Sequence, residues 1–186
     1  MKIKGTILDR LRGGDLRSIG RANDVAQDVC NNPRLVSYLI EGISSGDPVV
    51  RARSADALEK ASSTNPELVQ PYKKEFIREF SRIEQQEVRW HVALILPRFQ
   101  LTKSEVSEVA ALLFKWLEDD TSNIVRVSSL QSLTDISRYH QVIERRVLKA
   151  LKHYETFGTP SLRARAKKLL KMHPISALKR VQRQTK

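Results

Sequence analysis

Thirteen lysines and arginines lie between Arg145 and the end of the chain, against one acid, Glu155. Arg145, Lys149 and Lys152 are spaced to share one face of a helix, opposite Ile143, Val147 and Leu151, with Arg146 at the border. Arg163, Lys167 and Lys171 form a second row, with Arg165 and Lys168 beside it. On packed helices the rows would lie roughly 10 Å apart. That spacing could track the phosphates of a nucleic acid, which would bind by counterion release with little sequence preference. An acidic protein surface or an anionic membrane would answer to the same charge. Few aromatic residues interleave with these rows, so phosphate contact is expected rather than base stacking. Residues 1–144 hold 20 basic and 20 acidic residues, so the net charge of +12 belongs to the last quarter.

Residue sets for other chemistry are sparse. His91, His140, His153 and His173 are never within three to five residues of one another, and no Cys, Asp or Glu cluster completes a metal set. The single Cys30 has no second thiol for a disulfide or a zinc pair, and its neighbours Val25, Ala26 and Val29 predict a buried structural thiol. Gly13-Gly14 is no phosphate loop. Glu118-Asp119-Asp120 reads as a solvated helix end. No catalytic residue, metal or cofactor is expected.

The elements that carry the basic rows belong to a longer pattern. Val50-Arg51 with Ala55 and Leu58 returns as Val88-Arg89 with Ala93 and Leu96, then as Val125-Arg126 with Leu130 and Leu133. It returns again as Leu162-Arg163 with Ala166 and Leu170. The four arginines are 38, 37 and 37 residues apart. A fixed period of this size marks a repeat architecture, in which each helical pair buries its stripe only against its neighbours.

Helix starts are written in local chemistry. Asn32-Pro33, Asp47-Pro48, Asn65-Pro66 and Thr159-Pro160 each place a short polar acceptor before a proline that needs no amide partner. Thr102 and Glu105 have capping-box spacing. Helices are expected at about 18–31, 33–43, 47–63, 67–83, 85–96, 103–118, 121–137, 139–155 and 160–172. Pro71 and Pro97 should interrupt theirs. A short helix or irregular cap precedes them, with Gly13-Gly14 as a flexible joint. No segment alternates with a strand period of two.

Period, pairing and motif together resemble the HEAT-repeat family. Asp47-Pro48-Val49-Val50-Arg51 carries the resemblance best, and the stretches 85–96, 122–133 and 159–170 follow it with departures, such as Lys167 at a usually small or apolar position. The resemblance implies an all-α, short right-handed superhelical solenoid of about four to five helical hairpins. Its repeat domain would cover 1–172, with a weak first unit at 18–46 and clear units at 47–172, and a basic tail at 173–186. It also implies that Arg51, Arg89, Arg126 and Arg163 hold the spacing between repeats. HEAT-like proteins serve mostly as non-catalytic scaffolds, so a protein partner is the first expectation and nucleic acid at the basic end the second. Some bacterial alkylpurine DNA glycosylases resemble HEAT-like solenoids too. Trp90, Trp116, Arg89 and Arg126 supply similar residue types, but no acid matches that motif.

No apolar run approaches the roughly 18–20 residues that cross a bilayer, and the first ten residues lack a secretory apolar core. A cytoplasmic or other intracellular location is the expectation.

Overall fold

A computed structural model of the protein describes residues 3–172. The described residues are all-α: ten α-helices joined by turns and short 3-10 segments, with no strand. None of these helices is long and apolar enough to cross a membrane. The basic tail expected at 173–186 lies outside the described residues. The chain divides into two compact units, Met1–Gln100 and Leu101–Lys186.

The first unit contains α1 (Ile3–Leu11), α2 (Ala22–Asn31), α3 (Val36–Ile43), α4 (Pro48–Thr64), α5 (Lys73–Arg78) and α6 (Gln86–Ile95). Its centre is α4, which packs against α1, α2, α3 and α6. A helix surrounded on so many sides cannot be amphipathic in the ordinary way. Small residues solve the problem: Ala52, Ser54, Ala55, Ala57, Ala61 and Ser62 are all buried, with Val50 and Leu58 among them. Gly42 of α3 lies so close to Ser54 that an added Cβ would meet the Ser54 Oγ at 2.1 Å. The entry to α4 is fixed by Asp47, whose Oδ1 accepts from the amides of Val49 (2.8 Å) and Val50 (3.4 Å).

Several local expectations need correcting. The helix expected from Ser18 starts at Ala22, and Ile19 is exposed. Asn32 caps a 3-10 turn at Pro33–Leu35 through the Arg34 amide before α3 begins. Asn65 makes no side-chain cap bond. The span 66–82 is broken into 3-10 turns at Pro66–Leu68, Gln70–Tyr72 and Phe80–Arg82 around the short α5. Two prolines in six residues leave too few amides for a continuous helix. Packing holds this span instead, with Phe76 at the centre of an aromatic cluster with Phe80 and Phe99. Pro97 ends α6 in a 3-10 turn, as its ring predicts.

The loop between α1 and α2 is pinned by a buried arginine of α4. Arg53, 5% exposed, donates from Nη1 to the carbonyls of Leu11 (2.9 Å), Arg12 (3.2 Å) and Gly13 (2.7 Å). Its Nη2 donates to Asp15 O (3.2 Å) and its Nε to Ser18 O (3.1 Å). Gly13-Gly14 is therefore no loose joint. Gly14 and Gly20 have positive φ, and a Cβ on Gly20 would lie 2.7 Å from the Arg53 Cζ. Glycine supplies both the backbone conformation and the space.

The second unit contains α7 (Lys103–Asp119), α8 (Asn123–Ser137), α9 (Gln141–Phe157) and α10 (Pro160–Met172). The capping box of Thr102 and Glu105 is formed in both directions. Here α8 is central, packed against α7, α9 and α10, while α10 also packs on α9. Like α4, it is lined with small polar residues that are buried: Ser128, Ser129, Ser132, Thr134 and Ser137. The Thr134 and Ser137 hydroxyls donate to carbonyls of their own helix, Leu130 O and Thr134 O, which lets them be buried without a distant partner. The apolar stripes of α9 and α10 bury Ile143, Val147, Leu151 and Tyr154, and Leu162, Ala166 and Leu169.

Replacing Arg53 by Met keeps most of the apolar stem and removes every donor to the five carbonyls. Hydrogen bonds from a charged donor are worth about 1.5–3 kcal/mol each and are not additive. We expect Arg53→Met to lower stability by about 3 kcal/mol or more in urea denaturation. Amide exchange should accelerate through residues 11–20 before it does in α4. An unchanged midpoint would show that the loop is held by something else.

Candidate polyanion-binding surface

The basic rows owe their exposure to the apolar stripes beneath them. With Ile143, Val147 and Leu151 turned inward on α9, Arg145, Lys149 and Lys152 stand on the exposed face, as the 3.6-residue period requires. On α10 the same logic exposes Arg163, Lys167 and Lys168. Among the described residues, these six cations have no hydrogen-bond or ion-pair partner. Lys171 is exposed but has an interaction of its own. Arg165 is half-buried and donates from Nη1 to the Gln131 Oε1 of α8 at 3.0 Å, so its charge is turned inward.

Arg146 behaves differently from its row. Its guanidinium lies over the Phe114 ring, 3.7 Å from the centroid, with Nη2 3.8 Å from the Glu118 carboxylate. The side chain is still 58% exposed. Beside it, between α7 and α9, is an open hollow of about 380 Å³ with Phe114, Ala150 and Tyr154 in its floor and Glu118, Lys149 and His153 at its rim. One turn beyond, the exposed Phe157 ring lies 5.3 Å from that of His153. By its spacing alone Arg146 only borders the basic row. Phe114 and Glu118, four residues apart on α7, carried no signal by themselves that Arg146 would sit over them.

The recurrent arginines are placed otherwise. Arg51 is half-buried, with Nη1 donating to Ser45 O (2.8 Å) and Gly46 O (3.2 Å) and Nε to Gln85 Oε1 (2.8 Å). Gln85 in turn donates to Pro48 O at 2.8 Å. Arg89 donates to Ile83 O (3.3 Å) and Arg126 to Leu117 O (2.9 Å). Each takes a carbonyl from the segment just before its own helix. Arg163 makes no such bond and is exposed.

The residues weighed for catalysis are built into the fold. Trp116 is buried and Trp90 half-buried against His91, with ring centroids 3.4 Å apart. His91, 3% exposed, has Nε2 3.7 Å from Asp56 Oδ1, and its Nδ1 has no partner. Asp56 accepts from Lys60 Nζ at 2.7 Å, and Lys60 also donates to Asn23 Oδ1 at 2.6 Å. Arg98 pairs with the Glu59 carboxylate and donates to Glu59 O and Ser62 Oγ. Burial first, then the charges of Lys60 and Arg98, push the His91 pKa down to about 3. At neutral pH this imidazole is uncharged and enclosed, which suits packing and not proton transfer to a ligand. Cys30 is half-buried, its thiol 3.9 Å from Ala61 O and 3.8 Å from the Thr64 hydroxyl. Among the described residues, no group of three or more His, Cys, Asp and Glu is arranged to hold a metal.

No family model matches the chain, and no curated protein matches it.

The buried histidine makes a pH prediction. An unfolded histidine takes its proton near pH 6.5, whereas His91 resists it down to about 3. As pH falls below 6.5 the unfolded chain binds the extra proton, so stability is lost across the window from about 6.5 to 3. Between pH 7 and 5 that term amounts to roughly 2 kcal/mol. Urea midpoints of the wild type and His91→Gln should converge as pH falls to 5. Parallel slopes would show that His91 is not buried as a neutral ring.

Proposed function

We propose that this chain is a non-catalytic scaffold of HEAT-like helical repeats that binds an anionic macromolecule on the exposed face of α9 and α10, and that the macromolecule is a nucleic acid. The observation that carries the binding reading is the set of six exposed cations without partners. Elsewhere some arginines find carbonyls or carboxylates, as Arg51, Arg53 and Arg98 do, while Arg17, Arg34, Arg78 and Arg82 stand exposed and scattered. What favours α9 and α10 is that six exposed cations cluster on two helices packed against each other. Nucleic acid is favoured because regularly spaced cations on helices suit regularly spaced phosphates, with affinity set by counterion release.

The repeat reading is supported by side-chain bonds that join residues about one period apart. In the first unit these are Lys60 to Asn23 (37 residues), Gln85 to Pro48 (37) and Arg98 to Ser62 (36). In the second they are Tyr154 to Leu117 (37), Thr159 to Asn123 (36) and Arg165 to Gln131 (34). Stacked hairpins put such residues side by side.

A protein partner is the second reading. Tyr139 and Val142, 85% and 72% exposed, stand at the start of α9 beside Arg145 and offer apolar surface that phosphates would not use. An alkylpurine-excising enzyme has only the residue types in its favour, since Arg89 and Arg126 are bound to main-chain carbonyls.

Fluorescence-anisotropy titrations with labelled DNA and RNA at several salt concentrations test the nucleic-acid reading. Binding should weaken steeply with salt, and Arg145→Glu, Lys149→Glu and Lys152→Glu together should reduce the log–log salt slope by roughly 2–3. Absence of binding at low salt would end this reading and leave the protein partner.

A further inference from the structure

We propose that the edge of α9 facing α7 is a base-stacking platform, so that the nucleic acid bound is single-stranded; this rests on the nucleic-acid reading above. Arg146, His153 and Phe157 fall on one edge of the helix at offsets of seven and four residues. The rise of an α-helix separates them by about 10 Å and about 6 Å along the axis. Each presents a flat group. The Arg146 guanidinium is held over Phe114 on one side and remains 58% exposed. The His153 and Phe157 rings lie 5.3 Å apart and tilted by 36°, and Phe157 is 76% exposed. Exposing a phenylalanine to that degree gains nothing for the fold. An aromatic or guanidinium plane left open beside cations is what unpaired bases stack on, whatever their sequence.

The charges sort the strand's two halves. Lys149 and Lys152, with Arg145, stand on the open face next to this edge and would hold phosphates. The hollow beside Arg146 has an apolar floor of Phe114, Ala150 and Tyr154. Its rim carries a carboxylate, Glu118, 3.8 Å from Arg146 Nη2. A phosphate there would be repelled by that carboxylate, whereas a neutral base would not be, and an N–H of the base, such as N3–H of thymine, could donate to Glu118. At about 380 Å³ the hollow is roomy enough for one base. Duplex DNA keeps its bases stacked on one another and could use only the cations. The aromatic groups missing from the basic rows are therefore supplied from the adjoining edge and from α7.

The test uses the full chain and three labelled probes of equal length: a deoxythymidine strand, an abasic strand with the same phosphates, and a duplex. The thymidine strand should bind on the order of tenfold or more tightly than the abasic strand at one salt concentration. Phe157→Ala, at an exposed site that leaves the core intact, should erase most of that difference and leave abasic binding and the salt slope unchanged. His153→Ala should act in the same direction. Equal affinity for all three probes, or a Phe157→Ala protein with undiminished preference for thymidine, overturns the platform while leaving a nucleic-acid binder. If no probe binds at low salt, the platform and the reading beneath it fall together.

Discussion

Every helix ends with carbonyls that its own amides cannot reach, and a chain of many short helices meets that constraint repeatedly. Here arginines take up carbonyls at helix ends and in the loops that follow. Arg126 takes Leu117 O in the last turn of α7, Arg51 takes the loop carbonyls of Ser45 and Gly46 beyond α3, and Arg89 takes Ile83 O after the 3-10 turn at Phe80–Arg82. Arg53 does the same for α1 and the loop beyond it. A planar guanidinium with five donors suits this task in a way that an ammonium does not. Because the acceptors are backbone groups, the loops can vary in side chain without losing the contact.

The same constraint shapes the core. Helices that must touch several neighbours need small side chains, and α4 and α8 are rich in Ala, Ser and Thr. Some of their hydroxyls are satisfied within their own helix, as with Ser62 to Leu58 O and Thr134 to Leu130 O, while the buried Ser54 and Ser129 hydroxyls have no hydrogen-bond partner. Burial of leucine, isoleucine and phenylalanine from the surrounding helices then closes each unit at about 1.5–3 kcal/mol per side chain. Two acids of α4 are paired, Asp56 with Lys60 and Glu59 with Arg98. Among the described residues, exposed cations without a side-chain partner cluster on α9 and α10.

Helix limits and stripes were legible in the sequence where local chemistry decides them. Asp47-Pro48, the Thr102–Glu105 box and the breaks at Pro71 and Pro97 all act within a turn of themselves. Asn65 has nearly the backbone angles of Asn32 and likewise precedes a 3-10 turn, yet only Asn32 caps with its side chain; sequence does not distinguish the two. Arg53 gives no local signal of its role, since its acceptors lie 35 to 42 residues away in a loop with no motif. Its signal, in hindsight, is a cation flanked by Ala52, Ser54 and Ala55 in a helix with no polar face. The exposure of Lys149 and Lys152 followed from the stripe beneath them. The seating of Arg146 on Phe114 and of Arg165 on Gln131 did not, because each depends on which helix lies alongside.

Arginines bound to main-chain carbonyls, such as Arg51, Arg89 and Arg126, and exposed arginines such as Arg145 and Arg163 thus coexist in one chain. Conservative replacement separates them, because lysine keeps the charge but cannot reproduce the fork. Thermal midpoints and polyanion affinity should be measured for the triple variant Arg51→Lys, Arg89→Lys, Arg126→Lys and for the double variant Arg145→Lys, Arg163→Lys. The account predicts a clear fall in midpoint with little change in affinity for the triple variant, and near-native values of both for the double. An undisturbed midpoint in the triple variant, or an affinity loss there that exceeds its loss of folded protein, would contradict it.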